Sequence, residues 1–156
     1  MTTRRDFLQT AALGAMAIGA ATILPAVDQA LAADAPAKAK SVTPTGKVVE
    51  TTSECIRAGE VCVAHCTREL ATGNKDMANC NARVHEMLAM VKSMLTLAAS
   101  DSKLAPRVAA ICADACKACA DACAEHKDHW AHGMHLECKA CHDACLTCEE
   151  ACRALV

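Results

Sequence analysis

From about residue 47 onward the non-polar positions recur three and four residues apart and do not alternate, which is the period of helices and not of strands. Four helical segments are predicted. The first runs from about Lys47 to Ala71 and is stopped by Gly73-Asn74. The second runs from about Lys75 to Ala99, with Asn74 expected as its N-cap. Ser100-Asp101-Ser102 breaks the chain again, and the third runs from about Lys103 to Lys127 with Pro106 in its first turn, where proline is tolerated. His126 to Gly133 makes the last connection, and the fourth helix runs from about Met134 to Ala154. Long helices joined by short connections predict an all-α fold, an antiparallel four-helix bundle.

The inward stripes of these helices are unusual in content. Cysteine stands at Cys112, Cys116, Cys119 and Cys123 in the third helix, and at Cys138, Cys141, Cys145, Cys148 and Cys152 in the fourth. At 100° per residue these sets span only about 60° and about 80° of the helical wheel. The first helix carries Val48, Cys55, Gly59, Cys62 and Cys66 on one face, and Gly59 would leave space there. The second carries Cys80, Val84, Met87, Leu88, Val91, Met94 and Leu95, so most of the ordinary hydrophobic core is expected from it. The bundle is predicted to have a cysteine-lined core.

Upstream of the helices, Thr3-Arg4-Arg5-Asp6-Phe7-Leu8 followed by an apolar run from about Ala11 to Leu24 reads as a twin-arginine export signal. Ala30-Leu31-Ala32 fits small-x-small cleavage, which assigns residues 1–32 to the signal peptide. The run is shorter than the roughly 18 residues of a membrane span, so no membrane association is expected after cleavage. The expected location is the periplasm. Residues 33–46, rich in Ala, Lys, Pro and Thr, read as a flexible leader, and 47–156 as the bundle.

Removing the signal leaves 14 Lys plus Arg against 16 Asp plus Glu, and no basic patch that would hold a nucleic acid. Trp130 is then the only aromatic residue. Alanine and cysteine fill most non-polar positions after Cys112, and they bury little apolar area each. Metal–thiolate bonds would supply stability that such a core lacks.

Three chemistries compete for the thiols. Disulfides suit an exported cysteine-rich chain, but thirteen is an odd number and parallel side chains on one helix face are poorly placed to bridge. Zinc or another heavy metal needs about four ligands, commonly in two pairs, and iron–sulfur motifs commonly carry a Cys-Pro that is absent here. Cu(I) is soft, prefers thiolate and accepts two or three ligands. Cys62/Cys66, Cys112/Cys116, Cys119/Cys123, Cys141/Cys145 and Cys148/Cys152 are pairs that would clamp such an ion, and thiolates shared between pairs would let one core take up many ions.

The stretches Ser53-Glu54-Cys55 through Gly59-Glu60-Val61-Cys62-Val63-Ala64-His65-Cys66, Cys116 with Cys119 and Cys123, and Glu137-Cys138-Lys139-Ala140-Cys141-His142-Asp143-Ala144-Cys145 through Cys148 and Cys152 resemble the first, third and last helices of the Csp copper storage proteins. The resemblance runs from about Val48 to Cys152 and is weaker in the second helix. It implies a bundle whose interior binds multiple Cu(I) ions through cysteine, and a homo-oligomer, a tetramer, as among exported members. It also implies that His65 and Met77 guard the mouth of the bundle. The sequence identifies neither the copper donor nor the acceptor.

Further soft or nitrogen donors lie nearby. Met87, Met90 and Met94 offer thioethers, although methionine also fills cores. His126, His129, His132 and His135 recur every third residue through the last connection, beside Met134, at the end of an up-down bundle that also holds His65 and Met77. A copper-capture site is one reading of them and a solvated loop the other. No nucleophile–base pair, phosphate-binding glycine loop or paired catalytic carboxylates occur, so no enzyme activity is expected.

Overall fold

A computed structural model describes residues 43–156, which form five helices: α1 Pro44–Ala71, α2 Met77–Ala99, α3 Ala105–Ala124, the short α4 Lys127–Trp130, and α5 Leu136–Arg153. The export signal and most of the leader lie outside the described residues. No strand occurs among the described residues, and no helix there is long and apolar enough to cross a membrane.

The ends of the helices follow from local chemistry. α1 begins at Pro44, three residues before the expected start, because the Thr43 side chain accepts a hydrogen bond from the Gly46 N–H (3.0 Å) and Pro44 needs no donor partner in the first turn. It stops where Gly73 turns to φ +93°, a conformation open to glycine at little cost. Asn74 does not cap α2 as expected. Its Nδ2 instead donates back to Glu69 Oε2 (3.0 Å), and the second helix starts later, at Met77, after Asp76. α3 also starts later than expected, at Ala105, with the Ser102 hydroxyl accepting from the Leu104 N–H (3.2 Å). The connection after α3 contains α4, one helical turn, before Gly133 and His135, at φ +72° and +52°, redirect the chain into α5.

α1, α2, α3 and α5 each pack against two neighbours in the cyclic order α1–α2–α3–α5. Short connections make successive helices antiparallel, so the start of α1, the end of α2, the start of α3 and the end of α5 share one end of the bundle. Val48, Val91, Met94, Ala98, Ala105 and Ala109 fill that end, all buried. Beyond it the interior is sulfur. Leu95 is only half-buried, and Ala98 takes the inward position expected for it. Gly59 faces α2: a Cβ there would lie 2.9 Å from both Leu88 Cδ2 and Met87 Cε, so the space expected beside Gly59 is occupied by side chains of α2.

Candidate metal site

Every one of the thirteen cysteines is buried with zero exposure and carries a free thiol. The disulfide reading is therefore not met in the structure. Four helices contribute: α1 brings Cys55, Cys62 and Cys66, α2 brings Cys80, and α3 and α5 bring the remaining nine.

Their sulfurs converge in five groups, in each of which all Sγ atoms lie within 4.8 Å of one another: Cys62/Cys66/Cys80/Cys138, Cys62/Cys123/Cys141, Cys119/Cys141/Cys145, Cys55/Cys116/Cys148 and Cys112/Cys148/Cys152. Cys62, Cys141 and Cys148 each belong to two groups. The Cys55 and Cys145 sulfurs, 3.7 Å apart, join the first three groups to the last two. The thirteen thiols thus form one contiguous seam. Cys80, the single cysteine of α2, meets more partners than its isolation in sequence suggests: its Sγ lies 3.6 Å from that of Cys123, 3.7 Å from Cys66, and 3.9 Å from Cys62 and Cys138. Metal–sulfur bonds of about 2.3 Å place sulfurs sharing one ion about 4 Å apart, so these groups need little rearrangement to close on a soft ion.

The thiols do not titrate alike. Cys80 is pulled below the ordinary thiol value, first by its hydrogen bond with Cys123, and Cys141 first by that with Cys119. Hydrogen bonding from Cys112 comes first in lowering both Cys116, to about 6, and Cys152, to about 4. Cys62, Cys112, Cys123 and Cys145 move the other way: each stays protonated first because its S–H serves a neighbouring sulfur (Cys123, Cys116, Cys119 and Cys116 respectively), and burial adds to the shift. Each of the five groups contains one cysteine of the lowered set. In every group one thiol is thereby drawn by neighbouring S–H donors toward the thiolate, the form that ligates metal.

The other candidates divide. Met87 places its Sδ 3.4 Å from Cys55 Sγ, at the junction of the two halves of the seam. Met94 is buried in the apolar end, and Met90 is half-buried beside Ile111 and Arg83. Met77 is buried at the first turn of α2, one turn before Cys80. His65, 7% exposed, hydrogen-bonds through Nε2 to His135 Nδ1 (2.9 Å), and its Nδ1 faces Glu137 Oε2 at 3.5 Å. His126 is buried beside His135, while His132 and Met134 are exposed. A hollow of about 410 Å³ between α1 and α5 is lined by Lys47, Glu50, Thr51 and Thr147 among others and touches no thiol.

A bundle with thirteen buried, mutually contacting thiols is a soft-metal binding protein by its donor set. The comparisons agree with that class. The profile of the family described as Copper storage protein (Csp) matches residues 41–156, about three-quarters of the chain, and the chain belongs to that family. Two solved structures share the fold. The Cu(I)-bound copper storage protein BsCsp3 is 26% identical, with a TM-score of 0.63, over 72% of this chain and 98% of its own. The copper storage protein Ccsp from Streptomyces lividans, loaded with 10 copper equivalents, is 25% identical, with a TM-score of 0.62, over 78% of this chain and 92% of its own. No curated protein sequence matches significantly.

Proposed function

We propose that the chain stores copper, holding several Cu(I) ions on the thiolates of its interior and performing no catalytic turnover. The observation that carries this reading is the contiguity of the thiol seam: five three- or four-sulfur groups linked through shared cysteines and the Cys55–Cys145 contact. A catalytic or structural metal site uses one such group, whereas shared thiolates let neighbouring ions be bridged and the count grow. Membership in the copper storage family supports the same cargo.

His65 and Met77 lie near the end of the seam formed by Cys66, Cys80 and Cys138, and this position supports giving them the guarding role. The twin-arginine motif supports export to the periplasm, and the resemblance to exported Csp proteins supports a tetramer. Storage there would serve supply to copper enzymes or sequestration. Zinc is the second reading, because Cys62, Cys66, Cys80 and Cys138 supply the four sulfurs that a structural zinc takes. Anaerobic metal competition decides between them. Cu(I) displacing Zn(II) from every group supports copper storage, and Zn(II) retained at one group against excess Cu(I) supports the second reading.

A further inference from the structure

The inward side of α3 carries Cys112, Cys116, Cys119 and Cys123, and its flanks pack on α2 and α5. Its outer side is patterned as well. Leu104, Arg107, Ile111, Asp114, Ala118 and Asp121 recur at steps of three and four and form a second stripe that faces water, with Ala118 half-buried. Ile111 at its centre is 56% exposed, and Leu104, two turns earlier, 52%. Scattered apolar side chains are ordinary on a surface, but these two belong to a strip. Val108, between them in sequence, is half-buried, and Ile111 lines a hollow of about 230 Å³ with Met90, Ala115 and Ala118. Among the described residues no helix packs over this strip.

The stripe is complementary to itself only when reversed. Its first half is large and basic, with Leu104 beside Lys103 and Arg107, and its second half is small and acidic, with Ala118 beside Asp114 and Asp121. Asp121 is neutralised within the chain by Lys117. Arg107 has no ion-pair partner among the described residues, and Asp114, whose side chain is 73% exposed, pairs with Arg153 at 3.1 Å. A parallel copy of α3 would set Ala118 against Ala118, which leaves a gap, and Asp114 against Asp114, which repels. A copy reversed about a two-fold axis at Ile111 sets Leu104 against Ala118 of the second copy and Arg107 beside Asp114 of the second copy. The symmetry repeats both contacts on the other side of the axis. Opposite charges at matching positions fix partner and register.

We propose that the outer face of α3, centred on Ile111, is the contact through which two copies of this chain pair antiparallel across a two-fold axis. The proposal rests on the reading of the chain as a homo-oligomer and names the surface that makes it one. A tetramer then joins two such pairs through a second contact elsewhere. The thiols of α3 lie on its opposite side, so pairing leaves the seam as it is.

Sedimentation velocity of the reduced chain over a concentration series tests the contact, with far-UV circular dichroism as the check on folding. Ile111→Glu sets two carboxylates against each other at the axis and is expected to raise the dissociation constant of the pair more than about tenfold. Helicity is expected to stay unchanged, because that side chain is already 56% exposed. Arg107→Asp and Asp114→Arg are each expected to weaken pairing, and the double variant to recover it. Within one chain these positions lie about 10.5 Å apart along α3, so recovery reports a contact between copies. The charge variants keep the test open should Ile111→Glu fail to fold. An oligomer unchanged in every variant, or singles that weaken pairing without recovery in the double, would overturn this surface and leave the homo-oligomer reading in place. A wild-type chain that stays monomeric throughout the series would overturn both. The Cu(I) count taken on the same samples is expected to be equal in all variants and reports on storage alone.

Discussion

Cys148 and Cys152 sit one turn apart on α5, both fully buried, yet they differ in how many groups they serve. Cys148 is shared between Cys55/Cys116/Cys148 and Cys112/Cys148/Cys152, whereas Cys152 belongs only to the latter. Alanine at either position removes one buried sulfur and leaves a void of about one heavy atom. By the cost of deleting buried methyl-sized groups, each variant should lose about 1–1.5 kcal/mol of metal-free stability, a fall of roughly 4–10 °C in Tm for a domain of this size. Without metal the two should therefore melt alike. With Cu(I) they should part. Cys148→Ala weakens the coordination of two groups and Cys152→Ala of one, so against a competing chelator the first should lose about two tightly held ions and the second about one. Copper-linked stabilisation follows RT ln(1 + [L]/Kd) for each ion, so the copper-induced rise in Tm should also be smaller for Cys148→Ala. The assay is anaerobic chelator competition paired with thermal melts. Equal copper loss from both variants would refute the sharing of Cys148, and no loss from either would refute ligation at that end of the seam.

Further outcomes follow from other parts of the molecule. Copper uptake should release protons, because Cys62, Cys112, Cys123 and Cys145 are held protonated while Cys80, Cys116, Cys141 and Cys152 already favour the thiolate; lowering the pH from 8 to 6 should weaken uptake, and a pH-independent affinity would contradict thiol ligation. Met87→Leu should cost less than about 1.5 kcal/mol in metal-free stability, yet weaken the ion nearest Cys55, whose sulfur lies 3.4 Å from the thioether; unchanged copper competition would return Met87 to a packing role. Gly59→Val should destabilise the bundle by about 1–3 kcal/mol in urea unfolding, because the added methyls meet Leu88 and Met87. His135 has its value lowered from 6.5 first by burial and then by the charge of His65, so the unfolded chain takes up this proton more readily; stability should be fully present above about pH 6.5 and fall on acidification, and His135→Gly should flatten that slope in melts between pH 7.5 and 5.

The register of each helix was legible in the sequence because a spacing of three and four residues fixes one face whatever that face meets. Cys112, Cys116, Cys119 and Cys123 could be assigned to a single stripe for that reason, and the structure buries all four. The grouping of sulfurs across helices was not legible. Whether Cys55 meets Cys145 or Cys138 depends on how far α1 and α5 slide past each other, which neither helix encodes alone. Cys80 illustrates this: one thiol in an otherwise apolar stripe carries no pairing signal, yet the bundle brings it against Cys62, Cys66, Cys123 and Cys138. The ends of helices were read less well than their faces. Asn74 had the chemistry of a cap, but Gly73 returns the chain so that its amide satisfies Glu69 instead. The histidines spaced by three in the last connection left a capture site and a solvated loop as alternatives. In a continuous α-helix nine residues are two and a half turns, which would put His126 and His135 on opposite faces, but the chain reverses at Gly133, so His126 and His135 meet while His132 stays outside.

A contiguous seam of thiols that holds many copper ions is read out by an anaerobic titration of the reduced chain with Cu(I) against a chromophoric chelator. Tight uptake of several equivalents is expected, well beyond what one three- or four-sulfur group could hold, lost when the α3 and α5 cysteines are replaced by serine. Saturation at one or two equivalents would contradict it.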